Sequence, residues 1–263
     1  MRPGKGMSPE GLYETLFRRF GPQGWWPIPS RAGDPGFDAR GYHRDARETV
    51  LTDRDRWEIS AGAVLTQNAA WSNAEKALRN LSASGVRVPR EILELDPDSL
   101  RSLIRPSGYY NLKAQRLRAL ASFLVVKYET PTRSIELKGS VALPPTRDEL
   151  LAVDGIGPET ADSILLYAWK VEQFVVDAYT IRVLTRTGLL TREELPKTSK
   201  KRYEHVQKFI LTRIIGETIP ENLTRTQWFS EFHALFVALC ARHCLSSPRC
   251  DDCPLELSCE KHL

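Results

Sequence analysis

Apolar residues recur along most of this chain at the three- and four-residue spacing of one helix face, and no stretch alternates convincingly enough for a strand. The clearest case is residues 56–66, where Trp57, Ala61, Val64 and Leu65 share a face before the polar end Thr66-Gln67-Asn68. Ser72 with Glu75 reads as a capping box opening a helix that carries Ala74, Leu78 and Leu81. Further helices are expected over residues 12–20, over 203–215 with Val206, Phe209, Ile210 and Ile214 inward, and over 227–240 with Phe229, Phe232, Leu235, Phe236 and Leu239 inward. Residues up to about Gly11 read as disordered, 33–42 as loop, and 128–145, with three prolines, as a surface connection. The fold class predicted is all-α. A length of 263 residues suffices for a large core, and no Gly- or Ser-rich linker divides it.

One stretch carries more than periodicity. Thr146 and Glu149 form a capping box, so a short helix should bury Leu150 and Leu151 and stop at Asp154-Gly155-Ile156-Gly157. Pro158 suits the first position of the next helix, whose inward face is Ala161, Ile164, Leu165 and Ala168. A Gly-Ile-Gly turn leaves backbone N–H groups uncovered at a helix N-terminus, which suits a phosphate, although an ordinary helical hairpin has the same signature. Beyond it the apolar run Phe174-Val175-Val176 ends at Asp177, the N-cap of a helix over 178–184.

G-I-G-x-x-T-A followed about twenty residues later by V-V-D-x-Y-T-x-R resembles the helix-hairpin-helix DNA glycosylases of the endonuclease III superfamily, and the resemblance covers most of the chain. It implies a two-lobed fold: a six-helix lobe over 55–170, and a second lobe made by 1–54 and 171–263 with a cluster loop at 244–259. It also implies that Gly155, Ile156 and Gly157 grip DNA phosphate, that Asp177 is the catalytic carboxylate, and that Gln67 enters the duplex where a nucleotide is extruded. The segment from Arg105 to Lys113 is similar to the family's GxYNxKA and lies within a run, 101–127, with six basic residues and no acidic one; that run suits a phosphate-facing strip or a solvated helix face. Lys113 is its first DNA-binding candidate on the helix proper.

Cys244, Cys250, Cys253 and Cys259 are spaced C-x5-C-x2-C-x5-C, four thiolates that can enclose either zinc or a cubane iron–sulfur centre. The family loop is C-x6-C-x2-C-x5-C, one residue longer in its first gap, and the resemblance implies a 4Fe-4S cluster with a structural role. Cys240 lies outside the pattern and reads as a buried thiol.

Superfamily members that cut the backbone carry a lysine two residues after the second glycine. Here that position is Glu159, which cannot form an imine, so the resemblance implies base removal by water without strand cleavage. Glu159 is then a second candidate carboxylate. Three segments, G-W-W-P, W-E-x-x-x-G-A-V-L-T-Q-N and G-I-G-x-E-T-A-D-S-I-L, look like the branch that excises 3-methyladenine, and imply a base pocket of Trp25, Trp26, Pro27 and Trp57. Adjacent tryptophans could otherwise plug a hydrophobic seam between lobes. A 3-alkylated adenine is cationic, so aromatic faces bind it by cation–π attraction.

The partner implied is double-stranded DNA containing a damaged base, met by a monomer. A net charge of +4 and a pI near 8.8 are too mild to identify a nucleic-acid protein on their own. There is no apolar run of membrane-spanning length and no signal-peptide core at the start, so the expected location is cytoplasmic, at the nucleoid. All five cysteines lie between positions 240 and 259, against a disulfide scaffold spread along a secreted chain. Two competing readings are a glycosylase for uracil, mismatched thymine or oxidised bases, and a helix-hairpin-helix protein that only binds DNA. Asp177 and the aromatic residues favour an enzyme, since phosphate binding needs neither.

Overall fold

The computed structural model describes residues 9–44, 49–128, 143–214, 219 and 223–261. Among these residues every regular element is helical: α1 Pro9–Phe20, α2 Asp53–Leu65, α3 Trp71–Ala83, α4 Pro89–Glu94, α5 Pro97–Ile104, α6 Tyr110–Tyr128, α7 Arg147–Leu151, α8 Pro158–Ser163, α9 Ala178–Arg186, α10 Ser199–Phe209 and α11 Arg225–Arg242. Wider π turns continue α8 over Ile164–Ala168 and α10 over Ile210–Ile214. Of the expected surface connection at 128–145, residues 129–142 lie outside the described residues, as do residues 1–8 at the start.

The chain forms two compact units. One comprises Trp26–Tyr42 and Glu48–Val171, and the other Met1–Trp25, His43–Arg47 and Glu172–Leu263. The segment 26–42, expected with the chain ends, belongs instead with the lobe built on α2 to α8. Packing explains this: Trp26 meets Trp71 edge-on at 5.4 Å and leans on Tyr167 at 5.3 Å. Its indole also lies against α2 at Gly62, where a Cβ would stand 2.9 Å from Trp26 Nε1. Arg31 adds an ion pair to the buried Asp55 at 3.0 Å.

Helix α2 is buried almost all round, from Trp57 to Leu65. It begins earlier than residue 56 because Thr52 and Asp55 form a reciprocal capping box, the Thr52 hydroxyl accepting from Asp55 N–H at 3.2 Å and the Asp55 carboxylate from Thr52 N–H at 2.9 Å. The capping box expected at Ser72 and Glu75 does not form. Helix α3 starts at Trp71 with Ala70 as its N-cap and no side-chain cap, because Glu75 is drawn to Arg40 at 2.5 Å and Arg79 at 3.1 Å.

In the other unit α11 is the central helix. Phe232 packs at a tilt on Phe236 at 4.6 Å, Trp228 and Phe232 receive Tyr13 of α1, and Phe174 meets Phe229 and Phe232 edge-on. The run Phe174-Val175-Val176 is thus a buried extended segment rather than a sheet strand. Side chains of α10 satisfy its backbone, Gln207 Nε2 donating to Phe174 O at 2.6 Å and Tyr203 Oη accepting from Val176 N–H at 3.4 Å.

Candidate active site

Asp177 follows this buried segment as the N-cap of α9. Its Oδ1 accepts from Thr180 N–H at 2.7 Å and from Thr180 Oγ1 at 2.8 Å, while Oδ2 lies 3.6 Å from Nε2 of His233 on α11. Burial alone would push the Asp177 carboxyl up, but His233 and the Thr180 bonds outweigh it and hold the group below its ordinary value. The carboxylate is therefore an anion in a largely dry setting, the state in which it stabilises a developing positive charge most strongly. The sequence reading did not single out His233. At 5% exposed among Phe229, Phe232, Leu235 and Phe236, its imidazole needs a polar neighbour, which only the packing of α11 reveals.

The hairpin belongs to the other unit. Thr146 caps α7 in the expected box, its hydroxyl accepting from Glu149 N–H at 3.2 Å. Gly155 makes the turn at φ 76°, and Ile156 points inward, 4% exposed. Arg147 and the fully buried Asp162 are joined at 2.7 and 3.3 Å, pinning α7 to α8; breaking such a pair leaves an uncompensated buried charge and costs on the order of 3 kcal/mol. Glu159 is exposed in the first turn of α8.

Gln67 is not a free probe. Its Nε2 donates to Gly155 O at 3.1 Å and Thr160 Oγ1 at 2.9 Å, and its Oε1 accepts from Arg116 at 2.5 Å. The Arg116 side chain lies across the glycine turn, within 2.3 Å of where a Gly155 Cβ would be. The residue left exposed beyond α2 is Asn68, in the left-handed region at φ 50°. Lys113 also departs from expectation. It is 1% exposed, and its Nζ donates to Leu65 O at 2.7 Å and Ser107 O at 2.6 Å. Burial and the neighbouring Arg116 push its ammonium down to about 8. With both carbonyls taken, Lys113 braces the end of α2 and does not face a phosphate. Three more residues of the basic run have protein partners: Arg101 pairs with Asp98, Arg118 donates to the carbonyls of Ile92, Leu93 and Leu95, and Lys127 holds Glu149.

The aromatic residues are divided. Trp25 is half-buried in the unit of the chain ends. Trp26 and Pro27 are buried in the other unit, and Trp57, 4% exposed, lines a pocket there with Arg54, Glu58, Ala61, Leu78, Leu81 and Val86 among its walls. Trp26 and Pro27 are not part of that lining. Burial pushes the Glu58 carboxyl up, against the opposing hydrogen bond from Ser30 N–H.

Cys244, Cys250, Cys253 and Cys259 line one pocket with apolar walls from Val183, Leu239 and Leu255. Arg186 of α9 donates to Cys244 Sγ at 3.3 Å and to Leu245 O at 2.6 Å, and Arg182 donates to Cys244 O at 3.2 Å. Four sulfurs around one pocket, with a guanidinium on one of them, fit an anionic thiolate-bound centre. Among the described residues, no three His, Cys, Asp or Glu side chains stand in the geometry of a single-ion site. Cys240 is buried as expected, its thiol pushed up by its neighbour Cys244 and by burial.

Residues 61–210 match the family described as HhH-GPD superfamily base excision DNA repair protein. A Methanocaldococcus jannaschii protein whose name places it among DNA repair glycosylases is 35% identical over 94% of this chain and 94% of its own. Endonuclease III of Thermotoga maritima is 27% identical over 83% and 87% of the two chains. Among solved structures, H. pylori 3-methyladenine DNA glycosylase bound to 1,N6-ethenoadenine shares the fold with a TM-score of 0.62 at 24% identity, over 87% of this chain and 93% of that one. A trapped endonuclease III–DNA covalent intermediate gives 0.61 at 25% identity, over 81% and 86%. With that match and these likenesses, the chain belongs to the HhH-GPD superfamily of base excision DNA repair proteins, and within it is a DNA glycosylase acting on N-glycosyl bonds.

Proposed function

We propose that this glycosylase releases an alkylated purine, 3-methyladenine foremost, by hydrolysis and without cutting the strand. The observation that carries the reading is the largely but not fully buried Asp177 carboxylate, held as an anion by its helix cap and His233. Loss of the base leaves positive charge on the deoxyribose, and a fixed anion in a water-poor site lowers that barrier and can orient the attacking water. Glu159 supplies a carboxylate where a nucleophilic amine would be needed for strand cleavage. The Gly155-Ile156-Gly157 turn is the proposed phosphate grip, and Asn68, exposed where Gln67 is locked, is the side chain offered to the gap left by the extruded nucleotide.

Substrate choice is assigned to the aromatic face of Trp57 in its pocket; the branch resemblance alone points to Trp25, Trp26 and Pro27, which do not line that pocket. A cationic base gains on the order of 1 to 2 kcal/mol from a desolvated indole that a neutral base does not. Cys244, Cys250, Cys253 and Cys259 would hold a 4Fe-4S cluster that folds the C-terminal loop. To test the reading, duplexes carrying single defined lesions are incubated with the protein and abasic sites are then split with alkali. Strands should break only after alkali, and chiefly at alkylated adenine; breakage before alkali, or at uracil alone, contradicts the proposal.

A further inference from the structure

Resting on the reading of Asp177 as the reacting carboxylate, we propose that His233 is its positioning residue, fixing the oxygen that the helix cap leaves over. The cap consumes Oδ1 entirely, through Thr180 N–H and Thr180 Oγ1. Oδ2 is the oxygen left for chemistry, and the ring of His233 stands 3.6 Å from it, brought there by α11, the central helix of the unit. A carboxylate held by one edge alone could swing about its cap. With an imidazole 3.6 Å from the other edge, that swing is limited.

Other groups near this pair are accounted for. On α9, Arg182 is turned to Cys244 O; on α10, the Tyr203 hydroxyl accepts from Val176 N–H; on α11, the Cys240 thiol is pushed up and stays neutral. His233 is thus the residue on a neighbouring element placed to act on Oδ2. Its effect agrees in sign with the depressed carboxyl of Asp177.

The test compares wild type, His233→Phe, His233→Gln and Asp177→Asn. Carbon-13 carboxyl NMR follows the titration of Asp177, and single-turnover release of 3-methyladenine from methylated duplex DNA gives rates from pH 8 down to about pH 3. His233→Phe should move the Asp177 titration and the acidic limb of the rate upward by about one pH unit and slow release at least about ten-fold, with binding to an abasic duplex unchanged. His233→Gln, which keeps a donor, should recover most of the rate. An unmoved titration in His233→Phe overturns the proposal, as does an equal loss in both variants with the acidic limb in place, the mark of a packing role. If His233→Phe does not fold, His233→Gln decides by the same two readouts: a rate near wild type supports the proposal and a large loss with an unmoved titration overturns it. Should Asp177→Asn keep the wild-type rate, the underlying reading of Asp177 fails instead, whatever the titration shows.

Discussion

At the scale of single residues, the chemistry turns on a carboxylate whose ionisation is set by its surroundings. Replacing Asp177 by Asn removes the anion but keeps a good helix cap, so base release should fall by orders of magnitude while affinity for lesion-bearing duplex changes little; single-turnover assays and titration of binding check this. Because the folded carboxyl is held below its ordinary 3.8, the anion persists above that value and is lost only as pH falls through the lowered one. Release by the wild type should therefore stay flat through the usual carboxylate range. Asp177 was legible in the sequence because an N-cap after an apolar run is a local signal. His233 was not, since its importance depends on α11 crossing α9, some fifty residues away in sequence. Lys113 misled for the opposite reason: a lysine in a basic run gives no sign that two carbonyls will bury its head.

At the scale of elements, the hairpin was read from turn chemistry and a capping box, both local, and both are formed. The side chains that brace it come from the turn after α2 and from α6, and their bracing had no sequence signal: Gln67 and Arg116 close over Gly155. Gln67→Ala should accordingly destabilise the protein by about 1 to 3 kcal/mol, since it orphans groups on Gly155, Thr160 and Arg116, whereas Asn68→Ala should leave stability unchanged and weaken capture of the extruded nucleotide. Thermal unfolding, together with binding to an abasic duplex, distinguishes the two; the reverse pattern would return Gln67 to the duplex. The expected capping box at Ser72 shows how a local pattern loses to tertiary contacts, Glu75 being claimed by two arginines. Glu159, in the first turn of α8, has no amine to offer, so borohydride should trap no covalent protein–DNA adduct; an adduct at high yield would mean that another amine attacks the sugar.

At the scale of the whole molecule, helical spacing gave the fold class, while the placement of residues 26–42 depended on one tryptophan packing against α2, α3 and the turn after α8. The cysteine loop is tied to α9 by Arg182 and Arg186, so its integrity bears on the helix that Asp177 caps. As isolated, the protein should be yellow-brown and contain about four irons per chain; elemental analysis finding one zinc and no iron would contradict the cluster assignment. The central claim, that this is a hydrolytic glycosylase for a cationic purine, is tested most directly by chromatography of the bases freed from methylated and from uracil-containing DNA. The account predicts free 3-methyladenine well above uracil or unmodified adenine, with strands intact before alkali. Efficient release of uracil with no release of 3-methyladenine would contradict it.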